Sequence, residues 1–235
     1  MPAKVFEIDD IGPVSIYKRR GTGTIRLGFS SKGEVRITMP MWVPYRAGLD
    51  FAMQRIDWIR EHQPEQSRAY RHNDHIGKAH RIVMMPDTNV KSVQVRVKII
   101  EIVVKYPAIL NEDAPEVQKA AERGAKKALL AEAERLLPQR LASLADKHDF
   151  RYRSVSVKQL KTKWGSCDQL HNITLNYYLL QLPWNLIDYV LIHELVHTEH
   201  LNHSAEFWAR FEEALPGAKK IRKELSSYKT SVIAT

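Results

Sequence analysis

His193, Glu194, His197 and His203 fall within eleven residues of one apolar segment, LIHELVHTEHLNH. Residues i and i+4 of an α-helix project from one face, so the imidazoles of His193 and His197 can converge on a single point. Two imidazoles hold a metal ion weakly, whereas a third closes the protein's share of a catalytic zinc site and leaves the fourth tetrahedral position to water. His203, six residues beyond His197, is the candidate third ligand. Glu194 is displaced around the helix from the metal axis, where its carboxylate reaches a water rather than the ion, the position of a general base. Imidazole donors suit Zn2+ better than the oxygen-seeking Mg2+ or Ca2+. The chemistry open to such a set is attack of an activated water on an amide.

The flanking sequence must build a helix and then end it. Leu186, Ile187, Val190, Leu191, Leu195 and Val196 recur at spacings of three and four around the two ligands, and Pro183 stands where a helix commonly begins. For His203 to return to the metal the chain must leave the helix soon after His197, and Asn202 tolerates the left-handed backbone such an exit often uses. Ser204 is placed to cap a second helix, SAEFWARFEEAL. The competing reading, two histidines satisfied within a core, has to find hydrogen-bond partners for each buried imidazole.

Along the chain, residues 24–39 read as a hairpin: Ile25, Leu27 and Phe29 alternate, Ser31-Lys32-Gly33 turns, and Val35, Ile37 and Met39 alternate again. Leu49, Ala52, Met53, Ile56 and Ile59 repeat at helical spacing to about Glu61, and HQPEQSRAYRHNDHIGK reads as a loop. His72, His75 and His80, in or beside it, are taken as exposed histidines because no regular element fixes their convergence. Strands are expected at 81–85 and 93–104, so residues 1–108 form a β-rich, antiparallel N-terminal subdomain with one helix. A boundary near Tyr106 to Asp113 opens a second domain, 109–235. There Asp113 caps a helix with Pro115 just inside, running to Pro138 and on toward His148. A strand at Val155 and Val157, a hairpin with its tip at Asp168 to Asn172, and a strand Ile173 to Leu180 lead into the ligand helix. The fold class is α+β.

The chain has 235 residues, enough for one large or two small cores, and its mix of 44% hydrophobic and 27% charged residues excludes a disordered polymer. No apolar stretch spans a bilayer and the start, MPAKVFEIDD, lacks a secretory layout, so a cytoplasmic protein without a membrane partner is expected. One cysteine, Cys167, excludes an intrachain disulfide; it is read as structural or redox-sensitive, since a nucleophilic cysteine needs its own positioned base. The net charge of +9 admits nucleic acid as a partner. The basic clusters Lys18-Arg19-Arg20, Arg68 to Arg81, Lys161-Thr162-Lys163 and Lys219 to Lys223 are scattered and compose no nucleic-acid motif.

TKWGSC, ITLNYYLLQLP, IDYVLIHELVH and NHSAEFW, in that order, resemble the YgjP-like metallopeptidase-domain family of zincins, tightly over Lys161 to Trp208. The resemblance implies zinc held by His193, His197 and His203, Glu194 as catalytic acid/base, and a zincin-like domain acting on a peptide or protein substrate. SprT-like and WLM-type proteases are similar in having three residues between their third histidine and a Phe, as stand between His203 and Phe207. Metzincins share the histidine spacing but carry glycine where this chain has His200. Tyr177-Tyr178 also departs from the family, which more often has Trp and a basic residue there. In zincins the strand before the ligand helix is a rim for an extended peptide, a role expected of Ile173 to Leu180. Tyr177, Tyr178 and His200 are candidates for stabilising an oxyanion, each equally suited to packing or solvation. Trp164 and Trp208 read as core aromatics. The rival to an enzyme is a nucleic-acid-binding module stapled by zinc, which needs a fourth protein ligand from Glu199, Glu206 or His200 and has no use for Glu194.

Overall fold

The computed structural model describes residues 3–8, 11–30, 33–62 and 69–228, and the chain divides into two compact units, Met1–Arg68 and Ala69–Thr235. The first unit is a four-stranded sheet, β1 (Lys4–Ile8), β2 (Gly12–Arg19), β3 (Arg26–Phe29) and β4 (Val35–Pro40), in the order β1-β2-β4-β3. The outer pairs are antiparallel and the central β2–β4 pair is parallel. β4 buries Val35, Ile37 and Met39 while Arg36 points outward, the period of two expected of a strand with one covered face. The expected hairpin is therefore present as β3 and β4, although Ser31 and Lys32 of its turn lie outside the described residues. The single expected helix is two, α1 (Tyr45–Met53) and α2 (Ile56–His62), interrupted at Gln54 and Arg55.

In the second unit β5 (His75–Ile76), β6 (His80–Asp87), β7 (Gln94–Val97) and β8 (Glu101–Pro107) form a sheet ordered β5-β6-β8-β7. The long helix α3 (Pro115–His148) lies on it. Contact there is close: a Cβ added at Gly124 would collide with Ile102 Cγ2 and stand 2.8 Å from Val95 Cγ2. Glu132, buried in α3, accepts from the backbone N–H of Lys78 at 2.8 Å and of Ala79 at 3.1 Å, and pairs with the ring of His80. His80 is thus a buried residue at the start of β6, not an exposed loop histidine, whereas His72 and His75 are exposed as expected.

This packing is why the contacts divide the chain at residue 68, not at the expected 108. The apolar stripe Val117, Ala121, Ala125 and Leu129 would have no floor without Ile82, Met84, Ile102 and Val104 of the sheet. The helix begins at Ala114 without a side-chain cap; Asp113, the expected cap, pairs instead with Arg71 at 2.6 Å. Pro138 sits inside a continuous helix that ends at a left-handed Asp149. No helix of the described residues is long and apolar enough to cross a membrane.

A second, small sheet follows: β9 (Ser154–Lys158), β10 (Gly165–Cys167) and β11 (Asn172–Asn176), ordered β10-β11-β9. The expected strand 173–180 stops at Asn176, and Tyr177–Gln181 form a 3₁₀ turn. Asn176 is fully buried and causes the change of direction: its Oδ1 accepts from Tyr178 N–H at 3.2 Å. Its Nδ2 donates to the carbonyls of Leu160 and Lys163, each at 2.9 Å, which fixes the approach to β10. Then come α4 (Trp184–Val196), α5 (Ala205–Ala214) and α6 (Ala218–Leu225).

Asn176→Ala leaves two carbonyls and one N–H without their partner and is expected to cost about 2–4 kcal/mol of stability, read as a lower urea midpoint at unchanged slope. A midpoint equal to that of the unsubstituted protein would show that Asn176 does not hold this junction.

Candidate metal centre

α4 is apolar almost all round: Leu186, Ile187, Tyr189, Val190, Leu191, Ile192, Leu195 and Val196 are buried, the pattern of a helix enclosed by protein. It ends one residue before His197. Thr198 closes it, both its N–H and its Oγ1 donating to Leu195 O, at 2.9 and 2.7 Å, while Glu199 and His200 N–H donate to Val196 O. These bonds satisfy the last carbonyls with right-handed backbone, so the left-handed exit expected at Asn202 is not used; among the described non-glycine residues only Asn73, Asp149 and His171 have positive φ. Ser204 caps α5 as expected, its side chain accepting from Phe207 N–H at 3.4 Å.

The exit brings His203 back over the helix. The rings of His193, His197 and His203 form a triangle with centroid separations of 4.8, 4.7 and 5.0 Å. Phe207, fully buried, lies 4.7–5.0 Å from all three and is their common floor. One donor nitrogen from each of the three lies within 4.8 Å of the others. The Nε2 atoms of His193 and His203 are 3.0 Å apart, near the roughly 3.3 Å that separates two nitrogens bound to one tetrahedral zinc at ordinary bond lengths. His197 Nδ1 faces His200 O at 3.0 Å, which fixes the tautomer that donates there and turns the Nε2 lone pair toward the other rings. His200 therefore contributes a carbonyl, not its ring. His193 Nδ1 is buried with no partner among the described residues, which sets this imidazole apart from a satisfied core histidine. The donor set fits zinc.

The candidates for a fourth ligand are engaged elsewhere: Glu199 pairs with Arg210 at 2.9 Å, and the Glu206 carboxyl is held below the usual carboxylate range by its hydrogen bond with Ser204. Burial lowers the proton affinity of His193, to a pKa of about 3, with His197, His203 and Arg222 acting in the same sense; burial also lowers that of His197. Both rings keep their lone pairs available to a cation. Glu194 is only 5% exposed, and burial pushes its pKa up to about 8 against the pull of Lys163. Its carboxyl lies against the β10 backbone so closely that a Cβ on Gly165 would stand 2.8 Å from its Cγ and Oε1.

A pocket of about 620 Å³ opens over the cluster, with Lys163, Gly165, Ser166, Tyr189, Arg222 and Tyr228 among the residues around the three histidines and Glu194. Cys167 lines it too, its thiol pushed up to about 11 by burial and then by Glu194, which leaves it protonated rather than nucleophilic. Trp164 lines the pocket as well as packing on the core, and Trp208 stacks on His203 at 5.8 Å. Tyr177 and Tyr178, buried against each other on the 3₁₀ turn, do not line it, and neither does the His200 ring. The rim assignment also moves: β11 is hydrogen-bonded on both sides, and the edge facing the pocket is β10. Sequence reasoning passed over Tyr189 and Tyr228, whose only signal is position, and read Lys163 and Arg222 as members of unrelated basic clusters.

Two solved structures are similar over a part of this chain. The metallopeptidase zymogen of Pyrococcus abyssi abylysin is 28% identical, with 39% of this chain and 93% of that chain covered at a TM-score of 0.36. The metallopeptidase zymogen of Methanocaldococcus jannaschii jannalysin is 18% identical, with 37% and 90% covered at a TM-score of 0.34. No curated protein matches the chain. The model of the YgjP-like metallopeptidase domain matches residues 23–228, from the first sheet through the three helices that carry and flank the histidine cluster, and the chain belongs to that family.

Proposed function

We propose that this protein is a zinc-dependent peptidase in which His193, His197 and His203 hold the metal and Glu194 is the general base. The observation that carries this reading is the meeting of three imidazole donors with a buried carboxylate at the floor of an open pocket. Zinc held by these rings supplies a Lewis acid that acidifies water and polarises the scissile carbonyl. Glu194 takes the proton from the attacking water and hands it to the departing amine. Its burial makes it a stronger base than a solvated carboxylate, and the β10 backbone at Gly165 fixes where the carboxyl stands. The free edge of β10 suits an extended peptide added as a further strand, which binds main chain with little regard to sequence. A zinc-stapled binding module is supported less well, because it needs a fourth protein ligand and Glu199 and Glu206 are both committed elsewhere.

Zinc content and turnover on an unstructured protein, with products read by mass spectrometry, test these roles. His203→Ala is expected to lose zinc affinity by at least about 10-fold while Glu206→Ala keeps it; the reverse result moves the third ligand onto α5. Glu194→Gln is expected to keep zinc and fold while turnover falls by roughly 100-fold or more, and parallel loss of zinc and activity would make Glu194 a ligand or a structural residue instead. Gly165→Ala pushes the carboxyl from its seat and is expected to lower kcat by about 10-fold or more with zinc retained. In the Glu194→Gln background the same substitution should cost little further activity, and a full additive loss there would mean that Gly165 acts on something other than Glu194.

A further inference from the structure

Two basic clusters that are far apart in sequence each send one residue to the pocket. Lys163, from Lys161-Thr162-Lys163, precedes β10, and Arg222, from the Lys219 to Lys223 run, stands on α6. Both rest on fixed supports. The Lys163 carbonyl is held by the buried Asn176 at 2.9 Å. The Arg222 guanidinium lies 5.1 Å over the Trp208 ring, which itself stacks on His203. The charge of Lys163 reaches Glu194 and His197, and that of Arg222 reaches His193 and Tyr189. No carboxylate pairs with either cation among the described residues. Among the described residues the one acid lining the pocket is Glu194, which is buried and pressed against Gly165. Arg210 on α5 and Arg140 on α3 are by contrast paired, with Glu199 and Asp188 respectively.

We infer that Lys163 and Arg222 are specificity residues that select anionic substrates, namely peptides with Asp or Glu side chains close to the scissile bond. Backbone pairing along β10 offers no discrimination between sequences, so side-chain selection falls to what the pocket walls carry, and beyond the histidines and the buried Glu194 those walls carry two cations among uncharged groups. A lysine or arginine side chain entering there meets like charge with no exposed counter-ion, since Glu194 is buried, while a carboxylate finds two partners already in place. Both cations are exposed, so the preference is moderate and weakens with salt.

This inference rests on the peptidase reading of the same site, and the experiment separates the two. Zinc-loaded full-length protein is offered three synthetic peptide libraries of one scaffold, with Glu, Ala or Lys flanking a central dipeptide, and kcat/KM is read for each at low and high ionic strength. The expected result is a Glu-over-Lys preference of roughly 5-fold or more at low salt that shrinks at high salt. Lys163→Glu and Arg222→Glu, with zinc content and melting temperature unchanged, are each expected to reduce that ratio, and the double reversal to invert it. Cleavage of all three libraries at equal rates overturns the inference and leaves the peptidase reading standing, whereas no cleavage of any library overturns the reading beneath it. Binding of a single-stranded DNA oligonucleotide that the double reversal abolishes, with no Glu-over-Lys preference in cleavage, would also overturn the inference and assign the two cations to nucleic acid.

Discussion

Glu194 is a carboxylate almost sealed from water on a helix whose other sides are core, and its surroundings are arranged around the cost of putting it there. A buried acid without charged partners lowers that cost by holding a proton, which is the direction in which burial moves this one. The rings of His193 and His197 are driven the opposite way, toward the neutral form, with His193 the more strongly shifted. The same low-polarity surroundings thus push the acid toward being a base near neutrality and these two imidazoles toward being free donors, the division of labour that the proposed hydrolysis needs.

Geometry follows from the same constraint. The carboxyl has to lie somewhere on a crowded helix face, and it lies over Gly165 because only a residue without Cβ lets a strand approach so near. Asn176 then anchors the chain entering that strand, and Phe207 fills the space beneath the three rings. The helix, the strand and the cap of α5 are local features with local causes. Their juxtaposition is what places an acid, three donors and an edge of free backbone in one pocket.

The pattern of α4 was legible in sequence because it is local: histidines four apart within an apolar 3.6-residue period, a proline before and a capping serine after. The convergence of His203 was also open to reading, since few residues separate it from His197. What failed depended on partners distant in the chain. His80 looked like a loop histidine because its partner, Glu132, is on another element. The strand expected to run to Leu180 has β-branched Ile173 and Thr174 and aromatic Tyr177 and Tyr178, and it stops at Asn176 because that side chain bonds the backbone two residues on and the carbonyls of an earlier loop. The boundary expected at residue 108 followed the change from strand to helix in the sequence, whereas the core follows the face that α3 needs covered.

The pocket walls carry this argument one step further. Lys163 and Arg222 were legible as charge but not as place, since a run of basic residues reads as a solvated surface wherever it occurs. Their clusters differ in what the fold does with each member: one residue of each meets the pocket, and the rest remain outside its lining. The two that meet it both have a support, a backbone fixed by a buried amide and a guanidinium lying on an indole. A flexible cation in bulk water discriminates little between ligands, because ordering it costs about as much as the ion pair returns. Fixing one end of each side chain removes part of that cost before any ligand arrives, and this support at the pocket wall, not the net charge of +9, is what gives these two cations their bearing on the proposed substrate choice.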